Sequence, residues 1–490
     1  MTLAELGLTV PGAGDLRVSG LSLDSRQAGP GHLFAALPGH AAHGAEFAGQ
    51  AVARGAVAVL TDAEGARVAG EALGDAVLLL AEDPRQTFAR AAALWFGPAP
   101  ETAVAVTGTN GKTSVASFCR QLWSALGHRA VNVGTVGVEG AWEAPLRHTT
   151  PDPLTLHRVL AEARRAGVTH AALEASSHGL DQRRLDGLWL AAGGFTNLSQ
   201  DHLDYHGTME AYFESKMALF DRVLPPEAVA VVNLDDPRGP EVAARAGRRG
   251  QEVIGTGMSE AARLRLVGRR FDATGQELRF TWQGGARQAR LDLIGGFQAE
   301  NVLVAAGLVI GAGEDPEAVF RALPRLRTVR GRMQLAARRG NGASVFVDYA
   351  HTPDAVATAL RALRPHVLGR VVAIVGAGGD RDRGKRPLMG AAAVHHADQV
   401  IVTDDNPRSE DPALIRAAVL QGVREAGGEA SEVGDRAEAI LRGVDALGPG
   451  DALLVCGKGH ETGQVVGTSV YPFDDVEQAS VSVTVLEPRA

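Results

Sequence analysis

Thr107-Gly108-Thr109-Asn110-Gly111-Lys112-Thr113-Ser114 follows the apolar run Ala103-Val104-Ala105-Val106 and leads into a stretch that ends at Leu126-Gly127. The spacing predicts a buried strand, a glycine-rich turn and a helix. In that context backbone N–H groups at a helix N-terminus can wrap phosphates. Gly108, Thr109, Asn110, Gly111, Lys112, Thr113 and Ser114 are therefore candidate nucleotide-binding residues. Lys112 is placed to reach the β- and γ-phosphates, and the Thr113 hydroxyl to bind Mg2+. The strict GxxxxGK[ST] pattern would require glycine at Val106, so the loop departs from it at one position.

Working outward, Ala171-Ala172-Leu173-Glu174 reads as a second buried strand whose tip carries a carboxylate, a natural Mg2+ ligand beside a phosphate loop. Phe195-Thr196-Asn197-Leu198 and Asp201-His202-Leu203-Asp204-Tyr205-His206 again follow an apolar run with polar groups. Histidines among aspartates suggest a transition metal, but the phosphate loop favours a hard cation with few protein ligands.

The whole chain divides into three regions. Residues 1–100 carry short apolar runs (Ala56–Leu60, Val77–Leu80) and a helical stretch near 45–54, ending in the linker Gly97-Pro98-Ala99-Pro100. Residues 101–328 hold the phosphate loop. Their later part, about 251–293, alternates polar and apolar residues (Leu264, Leu266, Val267; Leu278, Phe280, Trp282) like a small antiparallel sheet. Residues 329–490 alternate strands (Val345–Val347, Val371–Val375, Val400–Thr403, Ala452–Cys456) with helices. The predicted class is α/β throughout, with a doubly wound C-terminal domain.

Composition narrows the function. A formal charge of −8 argues against general affinity for nucleic acid or anionic membrane. The N-terminus lacks the pattern of a signal peptide, no stretch has the length of a membrane span, and the two cysteines make no disulfide framework. A cytoplasmic enzyme is expected. Of the 49 lysines and arginines only Lys112, Lys216, Lys385 and Lys458 are lysine. Where arginine serves for generic charge, the surviving lysines are suspects for work a guanidinium cannot do.

These segments together resemble the Mur ligase superfamily. The resemblance is carried by Leu23-Asp24-Ser25-Arg26, Pro38-Gly39-His40, Thr107–Ser114, His148-Thr149-Thr150-Pro151, Glu174–Arg184 and Thr196–His206. It continues through Ser215-Lys216, Asn301, Gly331-Arg332-Met333, Asp348–Pro353, Gly379–Pro387, Asp405-Asn406-Pro407-Arg408 and Gly457–Glu461. It implies an N-terminal α/β domain for the UDP end of a substrate, a central ATPase with a parallel sheet and a small antiparallel one, and a Rossmann-like C-terminal domain for an amino acid. It also implies a monomer, and rotation of the C-terminal domain about Leu326–Gly331 during catalysis.

The implied activity is ATP-dependent addition of a diamino acid to UDP-N-acetylmuramoyl-L-alanyl-D-glutamate through an acyl phosphate, in peptidoglycan synthesis. Carried over residue by residue, Thr113, Glu174 and His202 match the family's magnesium ligands. Asn301, Arg332 and Asp348 match ATP-binding positions, with Arg332 facing the transferring phosphoryl group. Leu23, Ser25, His40, His148, Thr149, Thr150, Ser176, Gln182 and Arg184 match positions that hold the UDP substrate. Lys216 matches a lysine that the family carries as a CO2-derived carbamate, an anionic oxygen ligand for a second Mg2+. The competing reading of Lys216 is an exposed helix residue paired with Glu214.

Arg381, Asp405, Asn406, Pro407, Arg408, Gly457 and Glu461 match amino-acid-binding positions. The Asp405–Arg408 sequence resembles the version associated with meso-diaminopimelate. Arg408 would grip the distal carboxylate, Arg381 add a second cation and Glu461 take the distal ammonium. If Arg408 only caps its own loop, L-ornithine or L-lysine becomes the substrate. A folylpolyglutamate synthase is the more remote alternative.

Overall fold

The computed structural model describes residues 1–39 and 42–487, so His40 lies outside the described residues. The chain forms two compact units. One comprises Met1–Arg265 with Val302–Ala322, and the other Leu266–Asn301 with the chain from Leu323 onward.

The first unit contains two sheets. Strands β1 (Gly20–Ser22), β2 (His32–Ala35), β3 (Ala58–Thr61) and β4 (Val77–Leu80) pair in chain order, all parallel. The helix Pro84–Phe96 covers them. Its start is set by the Asp83 carboxylate accepting the Gln86 N–H and by proline in the first turn, and it buries Phe88, Ala89, Ala91 and Ala92.

The larger sheet has strands β5 (Thr102–Thr107), β6 (Ala130–Gly134), β7 (Gly137–Gly140), β8 (His170–Glu174), β9 (Ala192–Phe195), β10 (Val229–Asn233) and β11 (Glu252–Gly257). Their spatial order is β11-β10-β9-β5-β8-β6-β7, parallel except for the β6–β7 hairpin. Strands covered on both faces must be apolar along their length, and β8 and β9 are wholly buried. The chain leaves β5 toward β8 and β6 on one side and β9 to β11 on the other. Such a reversal opens a crevice at the strands' carboxyl ends, where the phosphate loop follows β5. Side-chain contacts tie the N-terminal layer to the larger one. Gln86 Nε2 donates to Asp186 Oδ1 at 2.8 Å, and Arg183 Nε to Asp83 Oδ2 at 2.7 Å.

Strand β12 (Leu264–Asp272) begins parallel to β11 and runs into the second unit, where β13 (Gly275–Trp282) and β14 (Gly285–Leu291) form an antiparallel hairpin. Leu266, Leu278 and Phe280 are buried as the alternation requires. Val267 is 57% exposed, because it follows Leu266 on a strand of period two and so points to the opposite face.

The second unit's main sheet has β15 (Gln334–Arg338), β16 (Ser344–Asp348), β17 (Val371–Val375), β18 (Gln399–Val402), β19 (Ser431–Glu432) and β20 (Ala452–Cys456). The order is β15-β16-β20-β17-β18-β19, parallel except for β15 at the edge. A hairpin of β21 (Gly463–Val466) and β22 (Ser469–Pro472) follows. Neighbouring residues feed opposite cores: Leu454 packs with Leu360 and Val375, and Leu453 with Ile374 and Ile440. That is the doubly wound arrangement expected from the four apolar runs. Cys119 and Cys456 are both free and buried. Among the described residues, no helix is long and apolar enough to cross a membrane.

Candidate active site

The nucleotide loop is built as the sequence suggests, strand then turn then helix, with the helix spanning Lys112–Ala125. Gly111, at its N-terminus, has φ 89°, a conformation only glycine adopts without strain. A Cβ on Gly108 would lie 1.9 Å from Thr196 Oγ1, so the loop can pass close to the β9 end only as glycine. The segment after β9 straps the loop down. Asn197 Oδ1 accepts the Asn110 N–H at 2.9 Å, Thr196 Oγ1 donates to the Asn110 carbonyl at 2.6 Å, and the Asn197 carbonyl accepts the Thr109 N–H at 2.8 Å. Lys112 Nζ folds back to donate to the Gly108 and Thr109 carbonyls, both at 2.8 Å.

Glu174, at the tip of β8, is buried beside this loop. Its Oε2 accepts from Thr113 Oγ1 at 2.9 Å, and its Oε1 accepts the Thr135 N–H at 2.8 Å. Thr135 Oγ1 also touches Glu174 Oε2 at 3.2 Å and Thr149 Oγ1 at 3.0 Å. Hard oxygen donors thus converge where a phosphate-bound Mg2+ would sit, and the donor set fits that ion. Thr135 was missed from sequence. Its signal was a hydroxyl directly after the apolar strand β6.

Lys216 is not an exposed helix residue. It lies on the buried face of the helix Met209–Ala218 with 1% of its surface accessible, and its Nζ donates to the Gly108 carbonyl at 2.8 Å. Glu214 pairs instead with Arg245 at 2.5 Å. Burial, then the nearby Lys112 charge, pulls the Lys216 amine well below the usual lysine range. Tyr212, one turn earlier, places its ring 4.2 Å from Lys216 Nζ and its hydroxyl 3.2 Å from Thr109 Oγ1. Tyr212 was also missed, although an aromatic four residues before a suspect lysine shares its helix face.

His202 has φ 53° and opens the short helix Leu203–His206. Its ring lies 4.9 Å from that of His178 and 6.1 Å from that of Tyr212. Burial lowers its pKa, and the Asp201 carboxylate opposes the shift, so the neutral imidazole needed of a ligand is favoured.

Several residues predicted for the UDP substrate gather near Glu174. Thr150 Oγ1 donates to the Glu174 carbonyl at 2.8 Å and accepts the Ser176 N–H at 3.0 Å. Arg184 Nη1 donates to the Thr150 carbonyl at 2.5 Å and Nη2 to Gln182 Oε1 at 2.8 Å. Ser176 caps the following helix by accepting the Gly179 N–H. Thr149 joins through Thr135, while His148 is exposed. Leu23 and Ser25 lie in the N-terminal layer, where Ser25 Oγ donates to Gln50 Oε1 at 2.6 Å.

The second unit brings together the three segments expected to hold the amino acid. The Gly379 N–H donates to the Asn406 carbonyl at 2.9 Å, and a Cβ on Gly379 would lie 1.9 Å from the Pro407 carbonyl oxygen. Asn406 Nδ2 donates to Glu461 Oε2 at 2.8 Å, and Lys458 Nζ reaches both Asn406 Oδ1 and Glu461 Oε2 at 3.2 Å. A Cβ on Gly457 would lie 2.3 Å from Asp405 Oδ2. Arg408, at φ 51°, donates from Nη1 to the Gly379 carbonyl at 2.8 Å. Arg381 is exposed, with Nη1 on the Asp380 carbonyl at 3.0 Å. Lys458 is wholly buried within this cluster, and its rarity as one of four lysines is the sequence signal that marks it.

Of the predicted ATP contacts in this unit, Arg332 stacks 4.5 Å from the Tyr349 ring. Asp348 Oδ2 accepts the Met333 N–H at 2.7 Å, and burial raises its carboxyl pKa against the pull of Arg332. Asn301 is buried and donates to Gln298 Oε1 at 3.2 Å.

Comparison with known proteins agrees with this picture. Three family models match: "Mur ligase family, catalytic domain" over residues 17–88, "Mur ligase middle domain" over 106–309, and "Mur ligase, glutamate ligase domain" over 331–459. A Caulobacter vibrioides protein named UDP-N-acetylmuramoyl-L-alanyl-D-glutamate–2,6-diaminopimelate ligase is 51% identical over 475 residues, 96% of each chain. A solved structure of a ligase with the same name is 35% identical, covers 100% of both chains and superposes with a TM-score of 0.73. A Mycobacterium tuberculosis folylpolyglutamate synthase complexed with ADP shares the fold (TM-score 0.63) at 20% identity, covering 83% of this chain and 95% of its own. With the family models spanning most of its length and a relative 51% identical along 96% of it, this chain belongs to the Mur ligase family.

Proposed function

We propose that this ligase joins meso-diaminopimelate to the D-glutamate carboxylate of UDP-N-acetylmuramoyl-L-alanyl-D-glutamate, using ATP. The observation that carries the substrates is the 51% identity, over 96% of both chains, with a relative of that name. A free carboxylate resists attack by an amine until one oxygen becomes a good leaving group. Transfer of the ATP γ-phosphoryl group to it makes an acyl phosphate. The diaminopimelate amine then attacks the carbonyl carbon, the C–O bond breaks, inorganic phosphate departs, and the amine loses its proton.

The residues suit these steps. The N–H groups after Gly108 and the Lys112 ammonium bind and orient the phosphates, because two anions approach each other only where cations cancel their repulsion. Thr113, Glu174 and His202 would hold Mg2+, which supplies charge neutralisation on the phosphates. Lys216, buried and biased toward its neutral amine, can attack CO2 and lose one proton to become a carbamate, an anionic oxygen ligand that arginine cannot form. Arg332, with Asn301 and Asp348, is assigned to ATP. Leu23, Ser25, His40, His148, Thr149, Thr150, Ser176, Gln182 and Arg184 are assigned to the UDP substrate.

For the amino acid, Arg408 would exchange its bond to the Gly379 carbonyl for the distal carboxylate of diaminopimelate. Glu461 and Asn406 would face the distal ammonium. L-Lysine and L-ornithine lack that carboxylate. The deciding experiment offers UDP-N-acetylmuramoyl-L-alanyl-D-glutamate and ATP with meso-diaminopimelate, L-lysine and L-ornithine in direct competition, and reads the products by mass. Diaminopimelate product should dominate, and a preference for lysine or ornithine overturns the assignment of the third substrate.

A further inference from the structure

At the end of the first unit's sheet opposite the nucleotide loop, His128, His170 and Glu314 meet. They come from separate segments: His128 follows the helix Lys112–Ala125, His170 opens β8, and Glu314 follows the helix Phe297–Gly311. β8 runs from His170 to Glu174, which separates the cluster from the Glu174 site by roughly 13 Å at about 3.3 Å per residue. His128 Nε2 lies 2.8 Å from Glu314 Oε1, and His170 Nε2 lies 3.9 Å from the same oxygen. The imidazole rings are 4.1 Å apart, and one donor atom of each residue falls within 4.8 Å of the other two.

We propose that His128, His170 and Glu314 form a structural site for a divalent cation of the zinc class. Two imidazoles and one carboxylate are a donor set that suits zinc and disfavours Mg2+, which prefers oxygen alone. Tetrahedral bonds of about 2.0–2.1 Å place donor atoms about 3.3 Å apart. The two contacts to Glu314, 2.8 and 3.9 Å, bracket that spacing, and all three donor atoms lie within 4.8 Å of one another, so the shell closes by drawing the two imidazoles together.

His170 also has the outer partner that a ligating histidine needs. Thr169 Oγ1 lies 2.8 Å from His170 Nδ1 and 3.3 Å from the Arg129 carbonyl. With the hydroxyl proton on that carbonyl, Oγ1 accepts from Nδ1–H and the Nε2 lone pair turns toward Glu314. Side-chain exposures of 34% for His128, 11% for His170 and 21% for Glu314 leave the fourth position to water. A bound ion would pin the ends of two helices to the start of β8. It stands apart from the Mg2+ chemistry and does not depend on it.

The test is zinc calorimetry on the nucleotide-free, full-length protein. Wild type is compared with His128→Asn, with Glu314→Gln and, as a control, with His206→Asn, whose ring lies 5.4 Å from that of His178. The expected result is one zinc per chain. Affinity should fall more than about a hundredfold in the first two variants and be retained in the third. Zinc X-ray absorption on wild type should show a nitrogen and oxygen shell at about 2.0–2.1 Å containing two imidazoles, which tests the site even if a variant fails to fold. No zinc bound by wild type, or wild-type affinity retained in His128→Asn and Glu314→Gln, overturns the proposal.

Discussion

Lys216 and Arg408 are the two residues on which the proposed chemistry turns, and each is held by a neighbouring carbonyl. Lys216 donates to Gly108 in a pocket that favours its neutral amine. Lys216→Ala should abolish ligation, and bicarbonate or a short carboxylic acid should restore part of it by supplying the missing oxygens. Lys216→Arg should be equally dead, because a guanidinium keeps its charge and forms no carbamate. Phosphate release by Lys216→Ala at the wild-type rate would end the carbamate reading. Arg408→Ala should lower kcat/KM for diaminopimelate by about ten- to a hundredfold, or ~1.5–3 kcal/mol, the scale of a charge-assisted hydrogen bond. Turnover with lysine should be spared. If Arg408 only braces the Gly379 loop, all amino acids will suffer alike, so the ratio of the two rates decides. That these residues mattered was legible, because few lysines survive and Arg408 sits in a recognisable segment. Their hydrogen-bond partners were not, since Gly108 is 108 residues from Lys216 and Gly379 is 29 from Arg408.

Among the elements, the C-terminal helix Asp475–Leu486 is fastened by its first residue. Asp475 and Arg436 form a bidentate pair, 2.7 Å at both contacts, with neither side chain accessible to solvent. Arg436 also donates to the Cys456 carbonyl at the end of β20 at 2.9 Å. Burial alone would lower the Arg436 pKa, and the Asp475 charge more than reverses it. Asp475→Ala leaves a buried guanidinium without its counter-charge, so the second unit should lose about 3–5 kcal/mol, read as a lower urea midpoint. Arg442→Ala, which removes an exposed pair with Glu438, should cost no more than about 0.5 kcal/mol. Similar losses in the two variants would contradict the burial argument. The sequence showed the helix and its acidic start. It did not show that the first residue of another helix, Arg436, was its anchor.

Across the whole molecule, the chain passes between the two units at Arg265, Asn301 and Ala322. Within the second unit His366 binds two distant backbone groups. Its Nε2 accepts the Gly295 N–H at 3.1 Å, so Nδ1 carries the proton and donates to the Asp272 carbonyl at 2.7 Å. In the first unit His157 donates from Nε2 to the Asp186 carbonyl at 3.1 Å. Burial lowers the pKa of both, His157 to about 4, while the unfolded chain protonates near 6.5. The unfolded state therefore binds more protons as pH falls below about 6.5. Stability is fully present above that pH and is lost progressively down to the folded pKa values. The urea midpoint should fall between about pH 6.5 and 4, and a flat profile across that window would refute this origin. His366→Ala should cost about 1–3 kcal/mol at neutral pH, since two buried backbone groups lose their partner.

By itself the sequence determined the elements: the apolar strands, the glycine turn before Lys112 and the alternation of strand and helix that makes a doubly wound sheet. These follow from local sterics and periodicity, which a window of ten to twenty residues contains. It also marked the residues whose chemistry has no substitute, the four lysines and the Glu174 carboxylate. Tertiary structure alone decided which of them meet. Thr135 reaches Glu174 because β6 pairs with β8, and Lys216 is buried because its helix turns that face to the phosphate loop. His128, His170 and Glu314 converge from segments up to 186 residues apart, since parallel strands gather their ends whatever the length of chain between them. Such pairings depend on long-range register, to which no local pattern in the chain corresponds.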